Sequence, residues 1–250
     1  MPVLNLKHVD KSYGKLKALN DVSFEHEGGF YALLGQNGAG KSTLFQLLTG
    51  LFVPDRGEIS IAGKSLRTQM VEVLADIGIV FQQPSLDLDM SVAANLKFHG
   101  RLRGMSTAFM RQRIEEELDR IGLIEEINRP CRALSGGNRR KVELARALMS
   151  EPRLLLMDEA TVGLDPASRD SLVKYVYQLC EEKSMAALWA THLVDEAENA
   201  DKVLILHHGE LRASGTAEEL MTMTSQSSLL DAFLSLSQNN SQNNSHELIP

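Results

Sequence analysis

The sequence predicts an α/β fold: a mostly parallel sheet core with an antiparallel β edge and an inserted helical subdomain. Short apolar runs alternate with helical sequence in the first third and again after residue 134. The stretch between them carries more charge and repeats with a helical period. At 250 residues, 43% of them hydrophobic and 24% charged, the chain has enough apolar matter for one α/β domain with an insert.

Val3–Val9 and Asp21–Glu27 alternate roughly by two, as half-buried strands do. Phe30–Leu34 is a compact apolar run closed by Gly35. Lys41–Thr49 sets Leu44, Phe45, Leu47 and Leu48 on helical faces and stops at Gly50. Pro54-Asp55-Arg56-Gly57 is a turn before the strand Glu58–Ile61, and Ile77–Phe81 reads as a buried strand. In the middle segment, Ile114, Leu118 and Ile121 fall at i, i+4 and i+7 of one helix. Leu154–Met157, Ala186–Ala190 and Val203–Leu206 are then short apolar strands separated by helical sequence, the pattern of a parallel sheet covered on both faces. Met221 and Met223 read as linker into a last amphipathic helix bearing Leu229, Leu230, Phe233 and Leu234. These readings give one domain over residues 1–236, with its core at 1–83 and 134–236 and the helical insert at 84–133. Ser237–Ser245 is almost entirely Ser, Gln and Asn and cannot repay the entropy of ordering, so residues 237–250 are expected to form a disordered tail.

Composition narrows the function. Lys and Arg number 26 against 33 Asp and Glu, a formal net charge of −7, which argues against a nucleic-acid partner. Cys131 and Cys180 fit neither a disulfide framework nor a four-ligand zinc site. Met1–Asn5 has no secretory character, so the reducing cytosol is the expected compartment. No apolar run approaches the roughly 20 residues that cross a bilayer, which excludes a span but leaves open a place beside the membrane. His207-His208 reads as a hairpin turn, Asp87 and Asp89 as solvated carboxylates, and Trp189 as core.

The strongest motif is Gly35-Gln36-Asn37-Gly38-Ala39-Gly40-Lys41-Ser42, a match to G-x-x-x-x-G-K-[ST] between an expected strand and an expected helix. Its glycines let successive N–H groups curl inward on phosphate oxygens, and the helix adds its positive dipole end. Lys41 is expected to reach the β/γ-phosphates and Ser42 to ligate Mg²⁺. A chance match in a chain of this length is on the order of one per cent. The run Arg153–Glu159 ends an apolar strand in Asp158 and Glu159, placing Asp158 for the metal and Glu159 to polarise an attacking water. Leu134-Ser135-Gly136-Gly137-Asn138 opens a helix through Met149, with Ser135 as cap and two glycines baring its first N–H groups. This second anion clamp has neither a lysine nor an acidic strand of its own, which suggests that it serves another nucleotide.

With these motifs in place the sequence resembles the ATP-binding cassette family over about residues 3–236. Tyr13 matches the aromatic that stacks on adenine, and Ile77–Gln82 ends in the glutamine that links γ-phosphate to a membrane partner. Leu134–Asn138 matches the signature, Asp158-Glu159 the acidic pair, Gly163-Leu164-Asp165 the D-loop, and His192 the histidine that contacts γ-phosphate. The resemblance implies a P-loop NTPase (RecA-like) core that hydrolyses ATP with Mg²⁺. It places ATP on Tyr13 and on residues 35–43, including Thr43, and Mg²⁺ on Ser42, Gln82 and Asp158. Glu159, His192 and Gln82 would be catalytic. Ser135, Gly136, Gly137 and Asn138 would act in trans, in an antiparallel homodimer of cassettes beside Asp165. A separate transmembrane permease subunit would hold the pair peripherally on the inner face of the cell membrane. Two departures are Asn138, where the family most often has glutamine, and Ala160, where it usually has proline. Ser91–Met105 looks like bacterial exporter cassettes, so transport outward is expected. The alternative is a soluble ATPase of the same family not linked to transport.

Overall fold

A computed structural model describes residues 1–183 and 185–238. Two sheets form its frame. β1 (Leu4–Tyr13) and β2 (Leu16–His26) make an antiparallel hairpin, and β4 (Arg56–Ile61) and β5 (Lys64–Ser65) extend it in the order β2-β1-β4-β5. The second sheet comprises β3 (Gly29–Leu34), β6 (Ile77–Val80), β7 (Leu154–Asp158), β8 (Ala186–Thr191), β9 (Lys202–His207) and β10 (Glu210–Gly215), ordered β10-β9-β3-β8-β7-β6. All its pairings are parallel except that of β10 with β9. The antiparallel edge expected from sequence is therefore two features: β10, and a separate four-stranded sheet.

Apolar packing divides into three clusters. The first lies between the two sheets and takes in α1 (Lys41–Leu48) beside the short α2 (Met70–Ala75). The second covers the other face of the parallel sheet with α5 (Gly136–Leu148), α6 (Pro166–Lys183), α7 (Ala217–Thr224) and α8 (Leu229–Gln238). The third is the core of the helical insert, α3 (Val92–Leu102) and α4 (Thr107–Arg120), together with one face of α5. α5 thus belongs to two cores. Leu144, Ala147 and Leu148 pack on the sheet, whereas Val142 and Ala145 face the insert. Each of its larger buried aliphatic side chains is worth about 1.5–3 kcal/mol, enough to lock this helix between the two bodies.

Three sequence expectations shift. The segment around Met221 and Met223 is helix α7, opened by a capping box in which Thr216 and Glu219 satisfy each other's backbone N–H. β6 stops at Val80 and leaves Phe81 exposed. α8 runs through Gln238 with Ser237 buried, so these two residues belong to the helix and not to the expected tail. The rest of that tail lies outside the described residues. The His207-His208 turn joins β9 to β10, and Trp189 is fully buried with its indole N–H on Glu196 at 2.9 Å. Among the described residues no helix is long and apolar enough to cross a membrane.

Candidate nucleotide site

The topology gathers the motifs before any side chain is considered. β3, β8 and β7 are neighbours running in parallel, so their carboxyl ends open on one edge of the sheet. β3 leads into the 35–42 loop, β8 into His192, and β7 ends at Asp158 with Glu159 next. Backbone bonds stitch the edge together: Gly35 N–H donates to Thr191 O at 3.2 Å, and Glu159 N–H to Ala190 O at 2.9 Å.

The loop then turns into α1 through Gly40, whose φ of 108° lies in the left-handed region. A Cβ there would sit 2.7 Å from the Ala18 carbonyl oxygen, so only glycine fits. No side chain caps α1, which leaves its first N–H groups free for an anion. Lys41 is buried. Its Nζ donates to the carbonyls of Gly35 at 2.5 Å and Gln36 at 3.2 Å, and lies 3.3 Å from Glu159 Oε1.

Glu159 is where the site converges. Oε1 meets Lys41 Nζ and His192 Nδ1, each at 3.3 Å, and Oε2 accepts from Gln82 Nε2 at 2.9 Å. Its φ of 44° puts a non-glycine residue in the left-handed region, strain of the kind that functional sites hold. Asp158 beside it has its carboxyl pushed up to about 6 by burial, then by the Glu159 charge, with Lys41 opposing. Asp158 Oδ1 is buried and has no hydrogen-bond partner. Asp158 feels the charges of both Glu159 and Lys41, and an orphan carboxylate oxygen in that setting is a hard donor that suits Mg²⁺.

A cavity of about 620 Å³ is lined by Tyr13, residues 36–43, Gln82, Glu159 and His192, while Asp158 does not line it. Tyr13 is partly exposed at its mouth, its hydroxyl on Gln46 at 3.3 Å and its ring edge-on to Phe52. Gly35 supports the floor, as the partner of Lys41. The sequence reading missed Leu16, Lys17, Ala18, Val162 and His208, which also line the cavity. Lys17 and Ala18 arrive there because β1 and β2 fold back on each other through the two-residue turn Gly14-Lys15, a hairpin signal that does not by itself say what the second strand will line. His208 comes from the β9–β10 turn, where only a turn was expected.

Ser135–Asn138 and Asp165 do not line this cavity. Ser135 caps α5 by accepting from Asn138 N–H at 3.2 Å, and Gly137 and Asn138 line a separate cavity of about 250 Å³ with Leu164 and Ser168. Asp165 binds the Ser168 hydroxyl at 2.6 Å and its N–H at 3.0 Å, contacts that hold its carboxyl below the usual range.

Comparison with known proteins decides the family. A family profile described as "ABC transporter" matches residues 19–162. The chain belongs to the ABC transporter family. The energy-coupling factor transporter ATP-binding protein EcfA1 of Lacticaseibacillus paracasei is 35% identical to it over 225 residues, 88% of this chain and 81% of that one. The Nod factor export ATP-binding protein I of Ralstonia nicotianae is 34% identical over 223 residues, 88% of this chain and 69% of that one. A solved neighbour is the ATP-binding cassette MJ0796, dimeric and bound to ADP and Pi in a post-hydrolysis state. It superposes with a TM-score of 0.76 at 28% identity, covering 85% of this cassette and 98% of its own chain. The enzyme class follows: the cassette is an ATP-binding ATPase of the ABC transporter class, with the α/β architecture that its sequence predicts.

Proposed function

We propose that the cassette hydrolyses Mg²⁺-ATP at the Lys41 cavity and that a second copy completes the site with its own Ser135–Asn138. One observation carries the reading: a single carboxylate, Glu159, touches the phosphate-loop lysine, Gln82 and His192. A triphosphate entering the loop offers Lys41 better partners than two backbone carbonyls, and it frees Glu159 from the ammonium group. Glu159 then accepts the proton of an attacking water, with Gln82 and His192 orienting water and γ-phosphate. Tyr13 stacks on the base, and residues 35–43 wrap the phosphates. Ser42, Asp158 and Gln82 would hold Mg²⁺, which supplies charge neutralisation on the phosphate oxygens.

The separate setting of Ser135–Asn138 supports a shared site, since a helix cap aimed away from its own lysine is of use only to another chain's nucleotide. The dimeric neighbour supports it too. We assign the cassette to the cytoplasmic face of a membrane, bound to a separate permease, and its direction to export. That direction rests on Ser91–Met105 and on the relative named for export.

Glu159→Gln tests the chemistry. It keeps shape and nucleotide contacts but removes the base, so phosphate release is expected to fall at least ~10²-fold while ATP still binds. Turnover near that of the unmodified cassette would remove Glu159 from this role.

A further inference from the structure

The loop that carries Gln82 has no strand to hold it. β6 ends at Val80, its last residue in register with β7, and Gln82 itself is exposed. One face of α5 holds the loop instead. Arg140 donates from Nη1 to the Phe81 carbonyl at 2.7 Å and from Nη2 to the Gln82 carbonyl at 2.9 Å. Its charge meets Glu143 at 2.7 Å, and the other Glu143 oxygen accepts from Ser85 N–H at 2.5 Å. Arg146, two turns from Arg140, donates to the Ser85 carbonyl at 3.0 Å. Arg140 and Glu143 are only 4% and 2% exposed.

Stability alone does not account for so deep a pair. Desolvating two opposite charges costs about what their attraction returns, and apolar residues of similar volume often stabilise as well or better. What apolar residues cannot do is grip two successive carbonyls. A planar guanidinium does this in fixed geometry, and a lysine does not.

We propose that Arg140 and Glu143 are positioning residues for Gln82. They fix the backbone of residues 81–85 so that the Gln82 amide stands on Glu159, 2.9 Å from Oε2. The inference rests on the reading in which Gln82 and Glu159 serve one nucleotide. It adds a link to the opposite site: α5 begins at the Ser135 cap, so a partner's nucleotide engaging that cap acts on the helix that holds Gln82.

Arg140→Lys keeps the charge but bridges at most one carbonyl. Arg140→Met combined with Glu143→Leu removes the pair while filling its volume, and serves if the single variant does not fold. In either, the KM for ATP is expected to stay within about twofold while kcat falls ~10- to ~10²-fold, the cost of misplacing a group near the chemistry. Arg140→Lys added to Gln82→Ala should be no slower than Gln82→Ala alone, because one residue acting through another is not additive with it. Hydrogen exchange over residues 81–86 should quicken in Arg140→Lys, a readout independent of turnover. Losses that add to those of Gln82→Ala, a rise in KM that tracks a falling melting temperature, or unchanged exchange would overturn the inference. Failure of the ATPase reading shows separately, as absent turnover in the unmodified cassette or full turnover in Glu159→Gln. The exchange measurement then still decides whether Arg140 holds the loop.

Discussion

Burial pushes the Asp158 carboxyl up to about 6, with the Glu159 charge adding to the shift and Lys41 opposing it. The folded state therefore holds the Asp158 proton more tightly than the unfolded chain, whose carboxyl titrates near 3.8. Stability falls as pH rises through that window, and above it the folded protein carries the full cost of a desolvated charge. Asp158→Asn removes that cost. Without Mg²⁺ at pH 7.5 it is expected to melt higher than the unmodified cassette, by on the order of 1–2 kcal/mol once partial solvent access is discounted. The difference should fade as pH drops from about 6 toward 4, where both side chains are neutral. Thermal melts across that range check the sign, and a variant less stable at pH 7.5 would contradict it. The same substitution should abolish Mg²⁺-dependent turnover, so the residue trades stability for chemistry. That conflict was half legible in the sequence. An apolar strand ending in two acids marks Asp158 and Glu159, but the orphan oxygen and the strained φ of Glu159 exist only in three dimensions.

At the scale of elements, α5 joins two cores, presents Ser135 at one end and grips the Gln82 loop along its side. Ser135→Arg fills the glycine-lined start of this helix with a long side chain and forfeits a cap worth about 1 kcal/mol. Monomeric ATP binding at Lys41 should survive and hydrolysis should collapse, as followed by nucleotide binding and phosphate release. Mixing Ser135→Arg with Lys41→Ala chains yields dimers with one site free of both lesions, so part of the activity should return. Normal hydrolysis by Ser135→Arg alone would dismiss the shared site. Helices α1 and α5 and strands β3 and β7 were legible because each pairs a clear apolar pattern with a start or stop signal (Gly40-Lys41, Ser135, Gly35, Asp158), and β8 and β9 because each is a compact apolar run following helical sequence. α7 was legible too, through the spacing of Thr216 and Glu219, but its methionines and threonines read as linker. The β1–β2 hairpin carried a local signal, the two-residue Gly14-Lys15 turn with Gly14 at positive φ. The pairing of β1 with β4, and hence the four-stranded sheet, was not legible, because those partners lie about fifty residues apart and local alternation names no partner. Arg140 escaped for a related reason: a charged residue on a helix reads as solvated until the fold places two bare carbonyls beside it.

Across the whole molecule large apolar residues are exposed in several places, and one group of them surrounds the segment that follows Gln82. Phe81, Leu88, Phe98 and Leu102 are all at least 40% exposed, and they lie on or beside the insert that follows Gln82. Leu86 and Leu96, by contrast, are buried in the insert's own core, so Leu88 and its surroundings are what this stretch leaves open to a partner. Gln82 stands at the nucleotide end of this segment, and Ser85 is tied to α5 a few residues on. In the proposed reading, a displacement of that tether would move the apolar edge and carry nucleotide state to a docked partner. The proposed permease would meet this edge with a short helix whose apolar face covers Leu88. Leu88→Glu puts a charge into that contact, yet it touches neither the Lys41 cavity nor the core that α3 and α4 share with α5. Basal ATPase of the isolated cassette is expected to persist, while recruitment to membranes carrying the permease and transport-linked stimulation are lost. Fractionation of cells that co-express the cassette with a candidate permease gives the readout. A cassette that stays wholly soluble there, with Leu88→Glu making no difference, would favour an ATPase of this family that works apart from transport.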